Sequence, residues 1–273
     1  MQDHVNLLLE QRAVLFPGTL GNNPCLAQFI SQVALERELQ LEFSRKVGSG
    51  RTSTARPSLA VVGNVQSALR RCLDRLTRYG PAFDPEPVLR FFAGHDLSRT
   101  EMLIHGLELF GADASQTRIK LHVRFGADLA LRRRILDHPD THPAVADFDD
   151  GQAKMIIGFD LLPDGRTLMR NYLSFESPEA SRALLEQHWG EELARLFCSA
   201  EFVGLTWKDG EAEPFVYLID PDVRRLVTAG GLRGIATDHL CHEGRPAYIL
   251  GAPSQQWQRR EFSDYNLYFM LRS

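Results

Sequence analysis

Cysteine is scarce in this sequence: Cys25, Cys72, Cys198 and Cys241 lie far apart, with no C-x-x-C pair. That excludes a disulfide-stapled framework and reads as reduced thiols, the usage of a cytoplasmic protein. Long apolar runs are missing too, so no membrane segment is expected. The opening Met1-Gln2-Asp3-His4 lacks the basic stretch of a signal peptide, and none is expected. Positive charge is not in excess: 31 Lys and Arg against 35 Asp and Glu leave a formal −4, with no basic footprint for nucleic acid. Neither a G-x-x-x-x-G-K-[ST] phosphate loop nor an aspartate-rich D-D-x-x-D metal motif occurs. What remains is 273 residues, 44% hydrophobic and 24% charged, the composition of one globular domain spanning 1–273 with a sizeable core.

The order of elements is periodic. Strand-like stretches at 39–47 and 52–62 flank Gly48-Ser49-Gly50, and helical patterns follow at 66–79 and 87–94. Further strands are expected at 101–110 and 118–125, followed by a helix near 128–136. A third hairpin joins 154–162 to 166–175 through Pro163-Asp164-Gly165, where Asp-Gly signals a tight turn. Ser177-Pro178-Glu179 then reads as a helix N-cap with proline in the first turn. A fourth pair, 201–208 and 214–220, turns at Asp209-Gly210. A helix at 222–229 and a fifth pair, 247–251 and 264–271, complete the series.

Five hairpins separated by helices, spaced at roughly fifty residues, signal a repeated αββα unit. The class is α+β. Ten antiparallel strands avoid bare edges by closing into a barrel, with helices covering its outer apolar face and a cavity inside. An open sheet covered on one side satisfies the same pattern.

Strands alternate faces. In Lys120-Leu121-His122-Val123-Arg124-Phe125 one face is basic and the other apolar. Glu42 and Ser44 share a face, as do Thr52, Thr54, Arg56 and Ser58. The third hairpin puts Gly158 and Asp160 on one side, then Arg166, Arg170, Tyr172 and Ser174. Phe202, Gly204, Thr206 and Lys208 follow, then Phe215, Tyr217 and Ile219, and finally Asn266, Tyr268 and Met270. One side of the sheet therefore gathers cations (Arg56, Lys120, Arg124, Arg166, Lys208) and aromatic rings around a carboxylate. For any one of these residues a solvated sheet face is the simpler reading; the combination favours a cavity.

Guanidinium and ammonium groups grip diphosphate oxygens, and aromatic faces attract cations. Together they suit ionisation of an allylic diphosphate, with Glu42 holding the nucleophile and taking its proton. These pieces resemble the cyanobactin peptide prenyltransferases. The resemblance is carried by Leu41-Glu42 with Arg56, Lys120-Leu121-His122-Val123-Arg124, and Ile157-Gly158-Phe159-Asp160 followed by Asp164-Gly165-Arg166. Phe202 to Thr206, Pro214 to Tyr217 and Asn266-Leu267-Tyr268-Phe269 add to it.

The resemblance implies an ABBA barrel and a transferase acting as a monomer on a peptide, with an isoprenyl diphosphate as co-substrate and Mg²⁺ accompanying the diphosphate. It implies acceptor binding and proton removal by Glu42, and diphosphate binding by Arg56, Lys120, His122, Arg124 and Arg166. Lys208 joins that set less directly, since Thr206-Trp207-Lys208 stands where the family often has Ser-Lys. Tyr172, Tyr217 and Tyr268 would shield the prenyl cation. Phe202 would limit pocket depth and select dimethylallyl over geranyl diphosphate. Two other functions fit the same residues: transfer to a small aromatic metabolite, and a non-catalytic barrel that binds a phosphorylated or lipid-like ligand. His138 and His142 among Asp137, Asp147, Asp149 and Asp150 read as an acidic loop, since Pro139 and Pro143 break the helix a histidine pair would need. His239, Cys241 and His242 read likewise as a loop.

Overall fold

The computed structural model describes residue 6 and residues 22–34, 39–48, 51–52, 56–62, 64–80, 83–110, 112–126, 129–207, 211–242 and 244–271. Among the described residues ten strands of five residues or more follow in chain order: β1 (Leu39–Gly48), β2 (Arg56–Val61), β3 (Thr100–Leu109), β4 (Thr117–Phe125) and β5 (Lys154–Leu161), then β6 (Thr167–Phe175), β7 (Phe202–Thr206), β8 (Phe215–Ile219), β9 (Arg245–Pro253) and β10 (Tyr265–Leu271). Two two-residue strands add to them: Arg51–Thr52 pairs with the end of β1, and Cys241–His242, expected as a loop, pairs with the start of β9. Each of the ten pairs antiparallel with its sequence neighbours. β10 returns to β1, with Leu41 opposite Leu271 and Val47 opposite Tyr265. The sheet is a closed ten-stranded antiparallel barrel, so no long edge is left to recruit another chain.

Alternation explains how the wall is filled. On β4, Thr117, Ile119, Leu121, Val123 and Phe125 are buried beneath helices, and the intervening Arg118, Lys120, His122 and Arg124 are half-buried on the lumen side. Helices close the outside with their own apolar stripes: Val65–Leu73 buries Val65, Ala68, Leu69, Cys72 and Leu73, three and four residues apart. Glu191–Cys198 buries Leu193, Ala194, Leu196 and Phe197 and places Glu191 and Glu192 against its positive N-terminal dipole. Asn23 caps the helix Pro24–Val33 by accepting from Cys25 N, and its Nδ2 donates to Thr117 Oγ1 at 3.0 Å, fastening that helix to β4.

The third hairpin turns where Asp164-Gly165 predicts. Gly165 takes φ 85°, which glycine adopts without strain, and Leu162 N donates to Arg166 O at 2.9 Å. That pairing leaves Arg166 in the turn, and β6 begins one residue later. Two helical details differ from expectation. Ser177 makes no capping hydrogen bond; the chain passes through a 3₁₀ turn, Pro178–Ser181, before the helix Arg182–Trp189. Between β9 and β10 lies a helix, Ser254–Arg259, that the hairpin pattern conceals; its Trp257 is fully buried. The first and fourth hairpin turns lie partly outside the described residues. Among the described residues no helix is long and apolar enough to cross a membrane.

Candidate active site in the barrel lumen

The lumen is lined by alternate residues: Glu42 and Ser44 on β1, Arg56 and Ser58 on β2, Lys120 and His122 on β4, Tyr172 on β6, Tyr217 on β8 and Tyr268 on β10. They surround a cavity of about 200 Å³ that continues, past Arg56, Lys120, Tyr172 and Tyr217, into a mouth also lined by Lys46, Arg118 and Arg170. Small residues make the room. Gly106, Gly158, Gly204 and Gly251 occupy lumen positions; at Gly251 a Cβ would lie 2.5 Å from Tyr217 Cδ1.

Register fixes the height of each group. On β1, Ser44 stands opposite Arg56 on one side and Tyr268 on the other, and Glu42 stands opposite Ser58 and Met270. The acid is therefore one lumen step, about 7 Å, from the level of the first cation. Ser58 Oγ donates to Glu42 Oε1 at 2.5 Å and the Tyr248 hydroxyl donates to Oε2. Tyr248 reaches the lumen because β9 carries a bulge: Ala247 faces Phe269 and Ile249 faces Tyr268, leaving Tyr248 as the extra residue. Burial, reinforced by Glu42, raises the Tyr248 pKa well above 10, so the phenol is a donor.

The cations form one connected set. Arg56 Nη2 donates to Asn266 Oδ1 at 2.9 Å, and Nη1 lies 3.5 Å from Glu108. Lys120 Nζ is 3.4 Å from Glu108 and 3.5 Å from Asp160, which also accepts from Arg170 Nε at 2.7 Å. Burial opposes the Arg56 charge, but Tyr268 and Glu108 outweigh it and its pKa is raised. Burial lowers His122 to about 4, against the pull of Asp160, so it is a neutral ring at neutral pH. That ring meets Tyr172 at 5.0 Å between centroids, and Tyr217 meets Tyr268 edge-on at 6.2 Å. Burial raises all three tyrosine hydroxyls, keeping them neutral beside the cations.

Several expected residues are placed differently. Arg166 is 71% exposed and pairs with Asp164 at 2.6 Å in its turn, outside the lumen; Arg170, one strand turn further, points to Asp160 instead. Arg124 keeps its lumen parity but sits opposite Met102 and Ile156, toward the other barrel end. There it is held by Glu101 at 3.2 Å and by Glu176, with Lys154 bridging the same two acids. Phe202 opens β7 opposite Ile219, and Ile219 rather than Phe202 lines the cavity. Lys208 and Thr54 lie outside the described residues. The sequence pattern places Arg170 and Asn266 on this face without giving them a role, and it leaves out Arg118, Glu108 and Tyr248; Arg118 and Glu108 follow from the same alternation, and Tyr248 does not.

Among the described residues no group of three or more His, Cys, Asp or Glu is placed to hold a metal. His142 instead caps the 3₁₀ turn Pro143–Phe148, accepting from Ala144 N, and Asp149 pairs with Arg132.

This barrel, closed by ten antiparallel strands and ringed by helices, has the ABBA architecture. The crystal structure of NotF prenyltransferase aligns with it at a TM-score of 0.52 over 97% of this chain and 91% of that one, with 11% identity, a likeness of fold. A 6-dimethylallyl tryptophan synthase (14% identity) and the crystal structure of 6-dimethylallyltryptophan synthase from Micromonospora olivasterospora in complex with DMASPP and Trp (13%) each align at 0.49. Both cover 85% of this chain, and 80% and 81% of their own. No protein-family model and no curated protein matches the sequence.

Proposed function

We propose that the chain is a prenyltransferase that moves a dimethylallyl group from dimethylallyl diphosphate to a nucleophilic side chain of a peptide. The observation that carries this reading is that one cavity joins Glu42 to Arg56 and Lys120, with Tyr172, Tyr217 and Tyr268 in its wall. Arg56, Lys120 and Arg170 would hold the diphosphate as its bond to the allyl carbon breaks, and the neutral tyrosine faces would shelter the resulting cation from water. The acceptor then bonds to the allyl carbon and passes its proton to Glu42, which Ser58 and Tyr248 hold in place. Magnesium, where it takes part, would be carried by diphosphate oxygens and water, because Glu108 and Asp160 are already engaged by cations.

A second acceptor class, a free aromatic molecule, is favoured by the apolar walls near Glu42, where Ile104, Ile219 and Ile249 line a chamber of about 200 Å³. The test is incubation with dimethylallyl or geranyl diphosphate, magnesium and separate panels of peptides and small aromatic compounds, read by mass. A five-carbon increment on peptides supports the first acceptor class, and one on free aromatics alone supports the second. Glu42→Gln should bind the donor normally and lose transfer by about 10²-fold or more. Full transfer by that variant, or donor binding with no transfer to any acceptor, would refute the assignment.

A further inference from the structure

Two buried carboxylates, Glu108 in the wall of the mouth and Asp160 behind its cations, have no part in that scheme. Glu108 on β3 faces three cations: Lys120 Nζ at 3.4 Å, Arg56 Nη1 at 3.5 Å and Arg118 Nη1 at 3.9 Å. Asp160 on β5 accepts from Arg170 at 2.7 Å and lies 3.5 Å from Lys120, so Lys120 stands between both acids. Asp160 is fully buried, and its Oδ1 has no hydrogen-bond partner. Burial disfavours both negative charges, yet the surrounding cations hold both acids below the ordinary carboxylate range.

Four cations (Arg56, Arg118, Lys120, Arg170) against two carboxylates leave a formal excess of two positive charges. With the site empty, the acids satisfy groups that would otherwise repel one another. A bound diphosphate draws on the same guanidinium and ammonium donors, and every donor it takes leaves Glu108 or Asp160 less well paired in a buried place, which is costly.

We propose that Glu108 and Asp160 act as internal anions that hold the diphosphate-binding cations while the site is empty and compete with inorganic pyrophosphate for them, so that product leaves. The inference rests on the mouth being a diphosphate site. A purely structural role for Glu108, aligning Arg56 and Lys120 for the donor, gives the opposite sign: removing its charge would then weaken anion binding. Competition requires that removing the charge strengthen it.

The experiment is calorimetric titration of the intact protein with inorganic pyrophosphate. Glu108→Gln should bind pyrophosphate about tenfold more tightly than the unaltered chain, or better, the scale expected for removing one charge from a partly buried pair. Asp160→Asn, which keeps the Glu108 pairs, should shift affinity the same way and serves if the first variant does not fold. Equal or weaker binding by the folded variants overturns the proposal. Arg56→Ala separates the two readings: pyrophosphate affinity unaffected by that change would remove the diphosphate site itself, and with it the prenyl-transfer assignment.

Discussion

Gly158→Ala probes the packing on which the lumen depends. Gly158 on β5 stands opposite His122 on β4 and Arg170 on β6. A Cβ there would lie 2.7 Å from His122 Cδ2, 3.1 Å from its Nε2 and 3.1 Å from Tyr172 Cε2. Carbon atoms pack best near 3.5–4.0 Å, so one ring must retreat by roughly 1 Å. His122 and Tyr172 already meet at 5.0 Å across the bare backbone, and each belongs to a strand paired on both sides. Overpacking of this kind costs about 1–3 kcal/mol. At about 2–4 °C per kcal/mol for a chain of this size, the midpoint of thermal unfolding should fall by about 2–12 °C. Circular-dichroism melts and urea titrations measure it. Specificity comes from a double-mutant cycle: with His122→Ala already in place the same glycine change should cost less, by about 0.5 kcal/mol or more, because the 2.7 Å clash is gone and only the 3.1 Å approach to Tyr172 remains. An equal cost in both backgrounds would show that the His122 ring does not set the requirement for glycine.

Arg170→Ala should weaken donor or pyrophosphate binding by about tenfold or more, since it removes a charged donor from the mouth; Arg166→Ala, on an exposed turn, should leave that affinity unchanged. The reverse ranking in one titration would contradict the placement of β6. Tyr248→Phe should retain donor affinity and lower transfer about tenfold, because a hydrogen bond to a carboxylate is worth about 1.5–3 kcal/mol in holding it; a change in donor affinity with an unchanged rate would contradict the role. Acid should destabilise the fold. Burial lowers His122 to about 4 and His105, between Phe29 and Tyr79, to about 3 from an ordinary 6.5. Between these values and 6.5 the unfolded chain binds more protons, so stability is complete above about pH 6.5 and drains away as pH falls through the folded values. At 1.36 kcal/mol per pKa unit the losses are on the order of 3 kcal/mol for His122 and 5 kcal/mol for His105. Glu108 and Asp160, both depressed, act in the same direction at lower pH. Urea midpoints at pH 7 and pH 5 test this; no decline for the unaltered chain would refute it.

Which face a residue occupies was legible in the sequence; how high it stands in the barrel was not. Lys120-Leu121-His122-Val123-Arg124 reads correctly as a lumen-and-wall alternation because burial on one side forces a period of two. The same rule treats Lys120 and Arg124 alike, although they end in different places. Lys120 joins Glu108 and Asp160 at the mouth, whereas Arg124 joins Glu101 and Glu176 toward the far end. One residue of turn decides between Arg166 and Arg170. The Leu162–Arg166 pairing absorbs Arg166 into the turn, a boundary shift that propensity cannot resolve. Tyr248 is hidden for a different reason: a bulge inserts a residue and breaks the parity by which every neighbour was sorted.

Height is set by closure. The Arg56–Asn266 hydrogen bond spans 210 residues and the Glu42–Tyr248 bond 206, and both exist because β10 returns to β1 in the register that puts Tyr268 beside Ser44. A slip of two residues in that seam would keep every side chain on its proper face, yet carry Tyr268 and Asn266 about 7 Å along the axis, away from Arg56. The chemistry proposed for the lumen is thus a property of the seam as much as of the residues. Residues that fix the seam, such as buried Phe43 paired with Phe269 on the outer face, should therefore affect donor binding without touching the donor.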